Sequence, residues 1–127
     1  MNKKRPVNLD LATMKFPVMA IVSILHRISG IVLFLLMPVL LYGLDQSLNS
    51  AHGFDMMSEL LTTTLGKLII LTFAAAFIYH VLAGIRHMLM DMGLGEHLPA
   101  GRYTARVIIF LAVSWMLEFF LFFSKSI

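Results

Sequence analysis

The 127-residue chain contains no cysteine. Disulfides, thiolate metal sites, cysteine-held iron–sulfur clusters and covalently attached c-type haem are therefore excluded from this chain taken alone. Charge is also scarce, with Asp, Glu, Lys and Arg making up 13% of residues. Hydrophobic residues make up 59%, and the mean hydropathy is +0.87. A soluble domain of this length could not hide so much apolar surface, so the solvent around most of the chain is lipid. There is no internal repeat and no low-complexity segment. The net charge of +3 resides in loops and the N-terminus. It bears on membrane orientation rather than on nucleic acid, which is not an expected partner. Any redox group bound here would need histidine or methionine ligands. The 10 methionines are also ordinary flexible packing material.

Three apolar stretches are present. The first has an uncharged core at Ile28–Leu44 and starts near Val18, because Pro17 suits a helix's first turn. The second runs over about 65–90, with its core at Leu68–Ile85, and the third over about 104–123. Each matches the ~20 residues that cross ~30 Å of hydrocarbon, and unbroken apolar runs in lipid form helices. The expected fold is an all-α membrane protein of three transmembrane helices, a single anchor domain over residues 1–127. The links are Asp45–Thr64, polar and acidic, and Asp91–Tyr103, glycine-rich with Pro99.

Lys3, Lys4, Arg5, Lys15 and Arg27 precede or begin the first span, and Arg86, Arg102 and Arg106 flank the second link. The first link carries Asp45, Asp55 and Glu59, with Lys67 at its far end. The bias of basic residues towards the cytoplasm puts the N-terminal segment, residues 1–17, and the second link there; the C-terminus faces the periplasm. A signal peptide is the alternative for span one, but the segment before it and the apolar run are both too long. No Arg- and Ser-rich transit peptide is visible, which favours a bacterial inner membrane.

The most informative residue is His80, inside the Leu68–Ile85 core, where Tyr79 is the one other ionisable side chain. An imidazole at that depth is costly unless held, so it marks a functional site. Ala76, Ala83 and Gly84 share its helical face and suggest a flat groove with a nitrogen ligand in its floor, suited to a planar cofactor such as haem. The alternative is interhelical glue, with the histidine bonded to a neighbouring backbone. His87 lies about 10 Å along the same helix, too far to be a second axial ligand of one iron. His26 sits at the cytoplasmic edge and reads as too shallow. A second histidine ligand would then come from another polypeptide, making the chain part of a heteromeric helix bundle.

A second cluster is Ser23-Ile-Leu-His26-Arg27-Ile-Ser29-Gly30 at the start of span one. Ser23 and Arg27 are i, i+4, and Ser23 and His26 are i, i+3, so hydroxyl, imidazole and guanidinium converge. Such groups bond a quinone carbonyl or pair with a haem propionate. They are equally consistent with a snorkelling arginine beside an interfacial histidine and a packing serine. Arg86, His87 and Asp91 close span two. Arg86 either pairs loosely with Asp91, anchors the helix end or reaches a propionate. Glu118 is the odd residue of span three, within reach of headgroups. His52 and His97 read as solvated, and Trp115 as interfacial or packing.

The segments Arg5-Pro6-Val7-Asn8-Leu9-Asp10-Leu11, Phe16-Pro17, Ser23 to Gly30 and Tyr79-His80-Val81-Leu82-Ala83-Gly84-Ile85-Arg86-His87-Met88-Leu89-Met90-Asp91 together resemble the cytochrome b subunits of succinate dehydrogenase. The resemblance is strongest to enterobacterial-type members. It covers Arg5 to Asp91; span three matches in hydropathy, with Glu118 as a departure. It implies a three-helix anchor that pairs with a second small anchor chain, holds haem b between the two, and docks an iron–sulfur subunit and a flavoprotein subunit on the cytoplasmic side. Electrons from succinate would reach ubiquinone there. By the same resemblance His80 is similar to the axial haem ligand and binds the haem iron, while Ser23 and Arg27 match the quinone-site residues. His26 and Arg27, with Arg86 and His87 as further candidates, would lie near the haem propionates. The Arg5–Phe16 segment would contact the iron–sulfur subunit. No residue of this chain is expected to be catalytic by itself.

Three rival readings remain. A fumarate reductase anchor differs little in motif, although a haem-type His80 favours succinate oxidation. A cofactor-free structural or assembly protein would use His80 as glue. A channel or transporter half lacks support, because paired intramembrane charges and broken helices are missing.

Overall fold

The computed structural model describes residues 17–125. The Arg5–Phe16 segment expected to meet a soluble subunit lies outside the described residues. Four helices follow in order: α1 (Val18–Asn49), α2 (Ala51–Thr62), α3 (Thr64–Asp91) and α4 (Leu98–Lys125). Helices α1, α3 and α4 are each long and apolar enough to cross a membrane. They are the three spans read from the sequence.

The boundaries differ from the expected ones, for local reasons. α1 does not stop at Leu44. Its 32 residues make it about 48 Å long, well past the ~30 Å hydrocarbon width. The extra turn carries Asp45, whose carboxylate accepts from the Asn49 amide at 3.2 Å, an i, i+4 bond. Pro38 sits inside α1 and removes one rung of its ladder.

The polar link expected from Asp45 to Thr64 is largely helix α2. Ser50 caps it, its hydroxyl accepting from the Gly53 amide at 2.9 Å. Acidic residues on one side of a short amphipathic helix read as loop when apolar runs are the criterion. Thr63 caps α3 in the same way, accepting from the Gly66 amide at 3.1 Å. α2 leans on α1 and α3 over an apolar cavity of about 360 Å³ that Gly43, Leu44, Phe54, Met57 and Ile70 help to line.

The second link shrinks to residues 92–97. α3 ends in a Schellman motif, in which the Leu94 amide donates to the Leu89 carbonyl (2.9 Å) and the Gly93 amide to that of Met90 (3.0 Å). Gly93 has φ +86°, a left-handed conformation that glycine takes without strain. Pro99, read as a loop marker, lies in the first turn of α4, where a missing N–H costs nothing.

α1, α3 and α4 pack on one another, with α3 antiparallel to both neighbours. The start of α1, the end of α3 and the start of α4 therefore share one end of the bundle. That end is basic, holding Arg27, Arg86, Arg102 and Arg106; Asp45, Asp55, Glu59 and Glu118 lie towards the other. The tightest packing is at the basic end, where Val22, Ala83 and Ala105 form the buried core against Met19, Tyr79 and Ile108. Small residues at the crossing let backbones approach closely, which is how helices associate where lipid removes the hydrophobic drive. Large apolar side chains face outward; Phe34 is 79% exposed.

Candidate functional site

The site forms where early α1 crosses late α3. Tyr79 donates its hydroxyl proton to the Val22 carbonyl at 2.8 Å and ties the two helices together. One residue on, His80 presses against α1. A Cβ built on Gly30 would lie 3.1 Å from His80 Cε1, so glycine there admits the ring.

The His80 ring is held on its Nδ1 side. Nδ1 lies 3.0 Å from Ser29 Oγ and 3.2 Å from the His26 carbonyl oxygen. Ser29 itself donates to that carbonyl at 2.7 Å. A carbonyl can only accept, so the proton of neutral His80 resides on Nδ1 and the lone pair on Nε2. A parallel arrangement fixes Arg86 against α4. The Thr104 hydroxyl donates to the Gly101 carbonyl at 3.1 Å, Arg86 Nε donates to Thr104 Oγ1 at 3.1 Å, and its Nη2 donates to the Gly101 carbonyl at 3.0 Å. In both places a hydroxyl bonded back to its own helix accepts from an α3 side chain, and the same carbonyl accepts from that side chain too.

By sequence His26 is expected to be shallow and His80 deeper. Instead their rings stack, with centroids 4.2 Å apart and planes 13° from parallel. His26 lies eight residues from the start of α1 and His80 eleven from the end of α3. On antiparallel helices that offset of three residues is only about 4.5 Å, within side-chain reach. Counting from the ends of apolar runs overstated the difference.

The open groove expected over Ala76, Ala83 and Gly84 is also not found as such. Ala83 is 2% exposed, in the core. A Cβ on Gly84 would meet His26 Nε2 at 3.4 Å. α1 covers these small residues because they permit its close approach. Ala76 lines an apolar groove of about 450 Å³ between α1, α3 and α4, and His80 is not among that groove's lining residues.

Around a small pocket of about 140 Å³ the structure does gather the other expected residues: Ser23, His26, Arg27, Arg86 and His87. His87 sits 6.5 Å from His26, ring centre to ring centre. The loose pairing of Arg86 with Asp91 is not observed, since Arg86 is spent on α4. Asp91 instead lies 3.6 Å from His87 Nε2, both exposed. Arg27 and Ser23 are exposed. Among the described residues no group of three or more acidic, histidine or cysteine side chains is placed to hold a bare metal ion. Two roles were missed from the sequence, the Ser29 hydroxyl and the Arg86–Thr104 clamp. Ser29 stood inside the quoted motif, and a serine one turn past a histidine on a buried face was the available signal.

The chain as a whole is similar to known proteins. The family described as succinate dehydrogenase/fumarate reductase transmembrane subunit matches residues 1–118. This extends through most of α4, beyond the motifs that carried the resemblance. The succinate dehydrogenase cytochrome b556 subunit of Coxiella burnetii is 48% identical over 117 residues, covering 89% of this chain and 94% of that protein. The b556 subunit of Paracoccus denitrificans is 30% identical over 122 residues, covering 93% and 94%. The mitochondrial cytochrome b560 subunit of Mus musculus is 30% identical over 118 residues, covering 88% of this chain and 68% of the mouse protein. Three membrane-crossing helices, a polar cluster at one end and a match over nearly the whole length lead to one conclusion: the chain belongs to the family of succinate dehydrogenase/fumarate reductase transmembrane subunits.

Proposed function

We propose that the chain is the cytochrome b-type anchor of succinate dehydrogenase, that His80 ligates a haem b shared with a second anchor chain, and that Ser23 and Arg27 help form the ubiquinone-reduction site. The observation that carries this reading is the gathering of Ser23, His26, Arg27 and His87 around one pocket, beside a histidine whose Nδ1 lies against the His26 backbone carbonyl.

The donor chemistry suits haem. Metal-bound histidine characteristically donates its other ring N–H to a carbonyl or carboxylate, as Nδ1 of His80 does. His26 stacks on the His80 ring at 4.2 Å, so His80 would be this chain's one ligand to the haem iron, and the other would come from the partner anchor. When bound, the haem supplies one-electron redox capacity, with a potential set by its axial ligands and their hydrogen bonds. Arg27 and His26, which share the pocket, would be the candidates to meet its propionates. Arg86 keeps part of its guanidinium for α4, and His87 is drawn to Asp91, so both are weaker candidates.

At the quinone, Arg27 carries charged donors that answer to no other described side chain, and Ser23 presents a hydroxyl on the same helical face. Both would bond a quinone carbonyl, and the positive guanidinium would stabilise negative charge as it develops on that oxygen. The basic end faces the cytoplasm, by the excess of Arg there. The iron–sulfur and flavoprotein subunits would dock on that side, the first of them on the Arg5–Phe16 segment, while the C-terminus faces the periplasm of a bacterial inner membrane. The names of the relatives favour succinate oxidation over fumarate reduction.

Replacing Arg27 with Leu in the assembled complex tests the quinone assignment. A charge-assisted hydrogen bond is worth about 1.5–3 kcal/mol, so ubiquinone reduction should fall by roughly 10- to 100-fold while succinate oxidation by an artificial acceptor persists. Equal loss of both activities would make Arg27 an assembly residue.

A further inference from the structure

Ser29 is buried, with 6% of its surface exposed. Helical serines and threonines often bond back to the carbonyl three or four residues earlier, and here Ser47, Thr62 and Ser124 do so on exposed surfaces. Ser29 does more. Its hydroxyl proton is committed to the His26 carbonyl, leaving its lone pairs for His80 Nδ1 at 3.0 Å. The Thr104 hydroxyl has the same double bonding with Arg86 as the donor, and a guanidinium can only donate. The matching geometry at His80 supports Nδ1–H as the donor there.

Resting on the reading of His80 as a haem ligand, we propose that Ser29 is a positioning residue for that ligand. Together with the His26 carbonyl it pins the proton on Nδ1 and fixes the plane of the ring, so that Nε2 is presented to iron as a neutral donor. A hydrogen bond from Nδ1–H also pushes electron density towards Nε2, which favours ferric iron. Removing the hydroxyl leaves the carbonyl at 3.2 Å as the remaining acceptor. The haem should then be held less tightly and be easier to reduce.

The test uses the complete purified complex with Ser29→Ala and Ser29→Thr beside wild type and His80→Ala. Haem loss to an excess of a haem-scavenging protein and the haem midpoint potential are read in each. Loss of an outer hydrogen bond commonly costs 10- to 100-fold in metal affinity. With the carbonyl still present, Ser29→Ala should lose haem roughly tenfold faster, at the low end of that range, with its potential moved upward. Ser29→Thr, which keeps the hydroxyl, should return both to wild type. Wild-type retention and potential in Ser29→Ala, with the haem lost in His80→Ala, would overturn the role of Ser29 alone. Equal defects in the Ala and Thr variants would make Ser29 a packing residue and overturn it too. Haem unaltered in His80→Ala would remove the ligand reading and this role with it.

Discussion

Gly30→Ala should separate the stability of the bundle from the state of its site. The added methyl would meet His80 Cε1 at 3.1 Å and Nδ1 at 3.6 Å. Carbon atoms at rest sit about 3.5–4.0 Å apart, so the ring must retreat by about half an ångström. It is held to the same stretch of α1 by contacts of 3.0 and 3.2 Å to Ser29 and the His26 carbonyl. Retreat stretches both towards about 3.5 Å, where little hydrogen bonding survives. Interhelical bonds in membranes average ~0.6 kcal/mol and reach ~1.7, so the loss is about 1–2 kcal/mol. Against it, replacing a glycine inside a helix with alanine stabilises by about 0.5–1 kcal/mol. The net change should be a destabilisation of at most about 1.5 kcal/mol, with only a small fall in melting temperature, while the spectrum and potential of the haem proposed at His80 shift. The assay pairs thermal unfolding of the solubilised complex with a redox titration of its visible bands. An unchanged spectrum and potential at unchanged stability would show that the ring does not rest on Gly30. A collapse in melting temperature would show that the two terms do not offset each other.

Arg86→Leu should loosen α4 from α3 by about 1.5–3 kcal/mol for each of the two bonds it loses; Arg86→Lys should recover part of it, and faster proteolysis within residues 92–97 reads the effect. Tyr79→Phe should lower stability by about 0.6–1.7 kcal/mol, through the lost bond to the Val22 carbonyl, in the same melting assay. Gly66→Ala should abolish assembly, because its Cβ would run into the backbone carbonyl of Leu60, whereas Gly43→Ala, whose nearest neighbour is Met57 Sδ at 3.7 Å, should assemble normally. Anchor content of purified membranes distinguishes the two, and normal assembly of Gly66→Ala would contradict the tight turn between α2 and α3.

What the sequence disclosed follows from the cost of polarity in lipid. Long uncharged runs can only be spans, so all three were legible. A buried imidazole has to have a partner, so His80 stood out, and hydroxyl, imidazole and guanidinium at helical spacing gave the pocket at the start of α1. Contact between helices was less visible. The stacking of His26 on His80 depends on how two antiparallel helices register, which no single run encodes. Ala83 and Gly84 looked like the floor of an open groove, although small residues in membranes as often mark where a neighbouring helix lies. α2 escaped because its acidic and polar residues masked an amphipathic helix that Ser50 starts. The clamp of Arg86 on Gly101 and Thr104 joins two elements across a link whose length the sequence overstated, with Pro99 taken as loop when it opens α4.

If His80 presents Nε2 to a haem iron, a reduced-minus-oxidised visible spectrum of the purified complex, wild type beside His80→Ala, will show it. Wild type should have a b-type α-band that is lost or shifted in the variant. A band left unchanged by His80→Ala, or absent from wild type, would contradict it and leave His80 as a hydrogen-bonded brace between α1 and α3.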